Sequence, residues 1–185
     1  INPSGSVSVN AGANQAFAIS ASSDYHVADV LVDGSSAGAV AAYTFSNVHA
    51  NHTIAASFAI DAYSISASAG ANGSITPSGS VAVNAGSNQA FAISANSDYH
   101  VADVLVDGSS AGAVAAYTFS NVHANHTIAA SFAIDAYSIS ASAGANGSIN
   151  PSGSVSVNAG ANQAFAISAN SDYHVADVLV DGSSA

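Results

Sequence analysis

YHVADVLVDG, at residues 25–34, is an alternating apolar stretch that ends in Asp-Gly, and it recurs at 99–108 and 173–182. Alternation with a period of two is typical of a half-buried β-strand. Asp-Gly is a common turn between two antiparallel strands. The stretch therefore predicts a β-hairpin, and its recurrence predicts that the same hairpin is built three times.

The two-residue period assigns the side chains of this strand to two faces. Val30 and Val32 are predicted to face the core. The outer face then carries the remaining alternate positions: Val27, Asp29, Leu31 and Asp33. Its carboxylates are expected to stay in water, since no lysine or arginine is present to pair with them. For Leu31, and equally for Leu105 and Leu179, two uses stay open: a small apolar contact with the next unit, or an exposed leucine.

The whole chain repeats with a period of 74 residues. A repeat of this kind is the first feature to interpret in a sequence. Division at the AIDA stretch gives a unit lacking its first strand at 1–62, a complete unit at 63–136 and a partial unit at 137–185. We expect these to be a window on a longer array. The alternative is that neighbouring chains complete the end units, as in strand-donating fibres.

The rest of a unit shows the same alternation. Apolar and small polar residues alternate at 63–69, 81–83, 91–95, 117–119 and 128–134, and clusters of Gly, Asn, Asp and Ser separate these segments. Such segments predict strands and turns, and no segment has a sustained helical period. The predicted fold is all-β: a tandem array of small antiparallel β domains, either β-grasp-like or Ig-like sandwiches. Units of this size are near the lower limit for an independent core, so neighbouring units are expected to contact each other.

Composition excludes several classes of partner and site. The chain has eleven acidic residues, all aspartate, no lysine or arginine, and a formal net charge of −11. Nucleic acids and anionic membrane surfaces would repel it. The absence of cysteine excludes disulfides, thiol catalysis and thiolate zinc sites. No apolar run approaches the roughly 20 residues that a membrane-spanning helix needs, so this segment is not expected to insert into a membrane.

The aspartates offer one candidate cation site. Asp29 and Asp33 lie four residues apart on one strand, or roughly 13 Å, which is too far to hold one calcium ion or to flank a glycosidic bond. Asp33 is predicted to open the Asp-Gly turn, and Asp24 to lie in a turn at SSDY. A calcium site built from Asp24, Asp61 and carbonyl groups of a neighbour stays open as a hypothesis.

The histidines and asparagines offer weaker patterns. His49 and His52 have the spacing of metal ligands, but no third ligand is near, so turn and capping hydrogen bonds are the expected use. No nucleophile–base motif and no phosphate-binding loop is present, and we predict no catalytic, cofactor or metal residues and no enzyme activity. The triplets 51–53 and 72–74 fit the N-glycosylation pattern, which chance produces easily in a chain rich in Asn and Ser.

SDYHVADVLVDGSSAGAVAAYTFSNVHANHTIAASF, at 23–58, resembles bacterial surface repeats related to the internalin B-type repeat. Members of that family show Gly-Tyr-x-Val, a VDG hairpin and YTF-x-NV-x-x-NHTI-x-x-x-F. GSITPSGSVAVNAGSNQAFAIS, at 73–94, is similar to the first half of the family's unit, so the resemblance covers the whole chain. It implies small all-β modules that serve in tandem as stalks and spacers. This chain differs at Asp24, Asp98 and Asp172, where the family often has glycine.

The function expected from the sequence is structural. We predict a repeat segment of an extracellular bacterial fibre, filament or surface stalk, whose partners are neighbouring repeat units or identical chains. The alternative is a multivalent adhesin module that binds cell-surface glycans by stacking sugars on Tyr25, Tyr99 and Tyr173. That alternative needs exposed tyrosines, whereas the alternation predicts that many tyrosines are buried.

Overall fold

A computed structural model describes residues 1–185, and all of its regular structure is β. No helix in it has the length and apolar character needed to cross a membrane. Residues 1–62 contain five strands: β1 (Gln15–Ala18), β2 (Tyr25–Val32), β3 (Ser35–Ser36), β4 (Ala42–Phe45) and β5 (Ile54–Ile60).

The second repeat contributes the largest set of strands. They are β6 (Ala62–Ala69), β7 (Gly73–Thr76), β8 (Gly79–Asn84), β9 (Gln89–Ala95), β10 (Tyr99–Val106), β11 (Ser109–Ser110), β12 (Ala116–Phe119) and β13 (His126–Ile134). The third repeat contributes β14 (Ala136–Ala141), β15 (Gly147–Asn150), β16 (Gly153–Asn158), β17 (Ala166–Ala169), β18 (Leu179–Val180) and β19 (Ser183–Ser184). The alternating segments found in the sequence all lie on these strands, which confirms the all-β prediction.

The strands form several small sheets. The second repeat contains the sheet β11-β10-β13-β6-β8 and the sheet β12-β9-β7. The first repeat has the corresponding pieces β3-β2-β5 and β1-β4. The third has β14-β16, β15-β17 and β18-β19. In residues 1–62 no strand takes the place that β6 occupies in the second repeat.

The chain forms two compact units. Unit 1 comprises Ile1–Ala67, Pro77–Phe91 and Ala116–Ile128. Within it β6 pairs with β8, and the phenylalanine pairs Phe17–Phe45 and Phe91–Phe119 each meet edge to face at 5.9 Å. Unit 2 comprises Ser68–Thr76, Ala92–Ala115 and Ala129–Ala185, and within it β7 pairs with β9 and β14 with β16.

Burial differs sharply between repeats of nearly identical sequence. Sixteen apolar residues are buried, and twelve of them belong to the second repeat. The first repeat contributes Phe17, Ile19, Val30 and Phe45, and the third contributes none. Ile65 on β6 is fully buried, whereas Ile139, its counterpart on β14, is 39% exposed. The surrounding strands, and not the local sequence, therefore decide whether a side chain is buried.

The stretch at 25–34 forms the predicted hairpin, with one difference. Val30 is fully buried and Leu31 is 41% exposed, as the alternation predicts. A bulge interrupts β2 between Val27 and Asp29, which pair with Phe58 and Ser57 on β5. Since adjacent residues of a strand point to opposite faces, Val27 and Asp29 also lie on opposite faces. The assignment of Val27 to the outer face is therefore wrong.

The predicted aspartate turns are present. Asp33 and Gly34 have φ angles of 51° and 82°, so both central residues of the hairpin turn are left-handed, as a type I′ turn requires. Asp24 has a φ of 67°. Aspartate tolerates this region better than most residues, but glycine adopts it most readily. The position of Asp24 is therefore one that suits glycine equally well.

Candidate functional site at the joints between repeats

Asp61 is the single residue between β5 of the first repeat and β6 of the second. Its backbone N–H donates to the carbonyl oxygen of Asp24 at 2.8 Å. Its own carbonyl oxygen accepts from the N–H of Ala85, also at 2.8 Å. Because Asp24 belongs to the first repeat and Ala85 to the second, the backbone of one residue is bonded to both repeats.

The side chain of Asp61 is bonded to the first repeat. Its Oδ1 atom lies 2.7 Å from Nδ1 of His26, on β2. This contact adds a third bond to the boundary at Asp61, which we call the first joint. Both side chains are well exposed, so the bond mainly orients the carboxylate and adds little net stability.

A second joint with the same geometry lies in unit 2, at Asp135. Its N–H donates to the carbonyl oxygen of Asp98, and its carbonyl oxygen accepts from the N–H of Ala159, both at 2.8 Å. His100 lies 2.7 Å from its Oδ1 atom. The repetition of all three bonds shows that the joint is encoded by the repeat itself.

At the first joint His123 makes a further contact between the repeats. Its Nε2 atom lies 3.1 Å from Oδ1 of Asp24, and its Nδ1 atom donates to the carbonyl oxygen of Asn121 at 2.8 Å. Both ring nitrogens face acceptors, so only the protonated imidazolium can donate to both. The carbonyl group of Asn121 and, next, the carboxylate of Asp24 raise the pKa of His123 above 6.5.

This contact predicts that the stability of the joint between the first two repeats depends on pH. A raised pKa in the folded state means that the stabilisation is complete below about pH 6.5, the pKa of a free histidine, and is lost as the pH rises through the folded pKa. We expect the NMR signal of the His123 ring to titrate above about pH 6.5, the pKa of a free histidine. The protection factor of the Ala85 amide against hydrogen exchange should fall over the same pH range.

His123→Gln should remove the part of the pH dependence that this histidine causes. His174→Gln, at an exposed position of the third repeat, should leave the pH dependence unchanged. Since His123 is well exposed, the change is expected to be small in energy but confined to this joint. Titration of His123 at or below about pH 6.5 would contradict the assignment.

The carboxylate of Asp29 does not stay in water as the sequence suggested. Its Oδ1 atom accepts from the N–H of Val30 at 2.8 Å, from Oγ of Ser36 at 2.6 Å and from the N–H of Gly38 at 3.1 Å. Asp103 makes the same three bonds in the second repeat. Neutral donors of the hairpin therefore take the place of the missing cations.

Asp33 and His52 also form a pair. The carboxylate of Asp33 accepts from the N–H of Thr53 at 2.7 Å and lies 2.7 Å from Nδ1 of His52. The bond from Thr53 and then that from His52 lower the pKa of Asp33 below 3.8. His49 instead lies 2.9 Å from the carbonyl oxygen of Val48. The two histidines thus make the turn and loop hydrogen bonds expected of them, and they do so with different partners.

The structure brings Asp24 and Asp61, the residues of the calcium hypothesis, together at the first joint. Each carboxylate already has an imidazole partner, His123 for Asp24 and His26 for Asp61. No group of three or more possible metal-ligating side chains lies anywhere in the structure. A calcium ion at this joint would have to displace both histidines.

The tyrosines are more exposed than the alternation predicted. None is among the buried residues, and Tyr25, Tyr137 and Tyr173 are 46%, 63% and 57% exposed. The expectation that many are buried is therefore wrong.

Asn51, in one possible glycosylation triplet, is exposed, and Asn72, in the other, occupies a turn with a φ of 71°.

A cavity of about 570 Å³ opens beside β5 in the first repeat. Val7 and Val9 line one side, Asn51 and Ile54 another, and Phe17 and Phe45 also contribute. The sequence did not predict this cavity, because the corresponding residues of the second repeat are nearly identical and surround a buried strand.

Sequence reasoning also missed the histidines at the joint. His26 and Asp61 are 35 residues apart, and Asp24 and His123 lie in different repeats. Nearly every residue of this chain recurs, so recurrence gave no signal that would single these out.

Comparisons with protein-family models, with curated proteins and with solved structures found no match. The resemblance to internalin B-type repeats therefore stays a prediction.

Proposed function

We propose that this chain is a structural repeat segment of an extracellular fibre, filament or surface stalk, in which small β units are joined head to tail. The joint at Asp61 is the observation that supports this function most directly. A single residue connects two strands, and its N–H and C=O groups are bonded to opposite sides of the joint.

Such a joint differs physically from a flexible linker. A Gly/Ser-rich linker leaves its backbone groups in water and lets the domains it connects rotate independently. At Asp61, rotation of one repeat against the other would break the bonds to Asp24 and Ala85 together. The same bonds at Asp135 extend this property to the next boundary. Resistance to bending at each boundary is what a stalk or fibre requires.

The composition agrees with exposure outside the cell. The chain contains no lysine or arginine, and so offers no site to trypsin-type proteases. Its hairpins hold Asp29 and Asp103 with neutral donors, so the positions of these carboxylates do not depend on surface ion pairs, which salt would screen. An array of such units would show an axial spacing of roughly 30–45 Å per unit, since that is the size of a domain of this length.

Rotational diffusion tests the proposal within a single chain. Relaxation of ¹⁵N amides in β2 and β8, on either side of Asp61, should give one common correlation time. Insertion of Gly-Ser-Gly between Asp61 and Ala62 should separate the two values. The same insertion between Gly144 and Ala145, in an exposed turn, should leave β2 and β8 coupled. Independent tumbling in the unmodified chain would refute the proposed function.

Exposed tyrosines support a second candidate, the glycan-binding adhesin module. Tyr25 and Tyr173 present 46% and 57% of their surface to solvent, enough for stacking on a sugar ring. Tyr99 is half-buried, so the platform is not repeated in the complete unit. A glycan array should show binding that Tyr25→Ala and Tyr173→Ala reduce, and an array without hits would remove this candidate.

A further inference from the structure

The complete repeat begins with strand β6 and ends with strand β13. Asp61 directly precedes β6, and Asp135 directly follows β13. The two strands are neighbours in the five-stranded sheet, where β6 lies between β13 and β8. The chain therefore enters the complete repeat and leaves it along two adjacent strands.

The hydrogen bonds between these two strands show that they are parallel. Near the start of β6, the N–H of Ser64 donates to Oδ1 of Asn125, just before β13, at 2.8 Å. Just after β6, the N–H of Gly70 donates to the carbonyl oxygen of Ala130, within β13, at 2.9 Å. Residue numbers rise together along both strands, so the start of β6 and the end of β13 lie at opposite ends of the pair.

This arrangement decides how the pair responds to tension. A force along an array would reach the repeat through Asp61 and Asp135. It would pull β6 from its first residue and β13 from its last residue, so that the strands slide past each other. In this geometry, which is shear, all bonds between the strands carry the force together. Antiparallel neighbours would be pulled apart from one end instead, which we call peeling, and their bonds would break one at a time.

The strand pair lies in the interior of the sheet. β8 covers the other edge of β6, and β10 covers the other edge of β13. Ile65 and Ala67 on β6, and Ile128 and Ala130 on β13, are all buried. A stretched hydrogen bond breaks readily where water can replace it, because the exchange of partners then changes the free energy little. Burial of the pair therefore favours high resistance to force.

We propose that the β6–β13 pair bears tension along the array, so that a complete repeat resists extension as well as bending. The proposal rests on the function proposed above, because only an anchored array would bring force to Asp61 and Asp135. The other strands of the repeat lie between β6 and β13 in the sequence, so they carry no force until this pair separates. Both strand sequences recur, at 136–143 and at 52–60, so every complete copy would carry the same pair.

Single-molecule pulling in two directions tests the proposal. The chain has no cysteine, so two introduced thiols define where the force is applied. Ala62→Cys with Ala136→Cys loads the pair in shear, and Ala62→Cys with Ala124→Cys peels it; all three alanines are exposed. The rupture force should be at least about twofold higher in shear, because the bonds of Ser64 and Gly70 then break together and not singly.

Two asparagine variants test whether this pair carries the force. Asn125→Ala removes the acceptor of the Ser64 N–H, and at constant force in shear it should unfold the repeat about fivefold faster. Asn88→Ala is the matched control. It removes a side-chain acceptor at the same distance, 2.8 Å, from the N–H of Asn121, outside the β6–β13 pair. Its rate of unfolding under force should stay near that of the unmodified chain.

Equal rupture forces in the two directions would overturn the proposal, as would equal acceleration by the two asparagine variants. If β2 and β8 still tumble together, that result would leave the function proposed above intact. Independent tumbling of β2 and β8 together with a clear difference between shear and peeling would refute the rigid joint, while supporting a pair that bears force.

Discussion

Replacing Phe91 with alanine is expected to lower the free energy of unfolding of the second repeat by about 3–5 kcal/mol. Phe91 is 1% exposed, and its ring meets that of Phe119 edge to face at 5.9 Å. Alanine would lose the transfer energy of the ring and leave a cavity. Because the chain forms more than one unit, native-state hydrogen exchange of the amides in β9 is a better measure than one melting temperature.

The chain supplies its own controls for this experiment. Phe17 and Phe165 occupy the same position in the other repeats, within the sequence QAFAIS. Phe17 is 9% exposed, and Phe165 is half-buried with no aromatic ring against it. Phe17→Ala should cost less than Phe91→Ala, and Phe165→Ala under about 1 kcal/mol, as for a surface site. Equal losses at all three positions would show that the repeats are equally packed, contrary to the structure.

Gly73→Val is expected to destabilise β7 by about 1–3 kcal/mol through overpacking. An ideal Cβ atom at Gly73 would lie 2.3 Å from the ring atoms Cε1 and Cζ of Phe132, far inside van der Waals contact. The ring would have to leave its place. Hydrogen exchange of the amides in β7 and β9 measures the loss, because these strands pair along Gly73–Thr76.

Two comparisons test the cause of this effect. Gly144→Val should be nearly neutral, since no atom lies within 4 Å of its ideal Cβ position. Phe132→Ala in the Gly73→Val chain should recover part of the loss by making room, so that the two changes are not additive. Strict additivity would mean that the valine acts through the backbone and not through the ring.

Local features of the fold could be predicted from the sequence. Alternation located the strands because it reflects backbone geometry within a few residues, and Asp33-Gly34 located a turn for the same reason. The bulge after Val27 could not be predicted, since Ala28 is small enough for either face. Only the pairing of Val27 with Phe58 shows that Val27 does not lie on the outer face.

Features that depend on distant residues could not be predicted. Ile65 and Ile139 lie within the same eight-residue sequence, yet one is fully buried and the other 39% exposed. No local pattern can separate them. The joint at Asp61 is a similar case, because its partners His26 and Ala85 lie on either side at long separation. The candidate site therefore became visible only once the strands were placed.

The composition of the joint has a genetic consequence. Asp61 and Ala85 are 24 residues apart, as are Asp135 and Ala159, so each boundary carries its own complete set of bonding groups. Unequal crossing-over between near-identical coding units would add or delete 74 residues and recreate the same boundary at the splice. A lineage could thus lengthen or shorten the protein in one mutational step, without a compensating substitution.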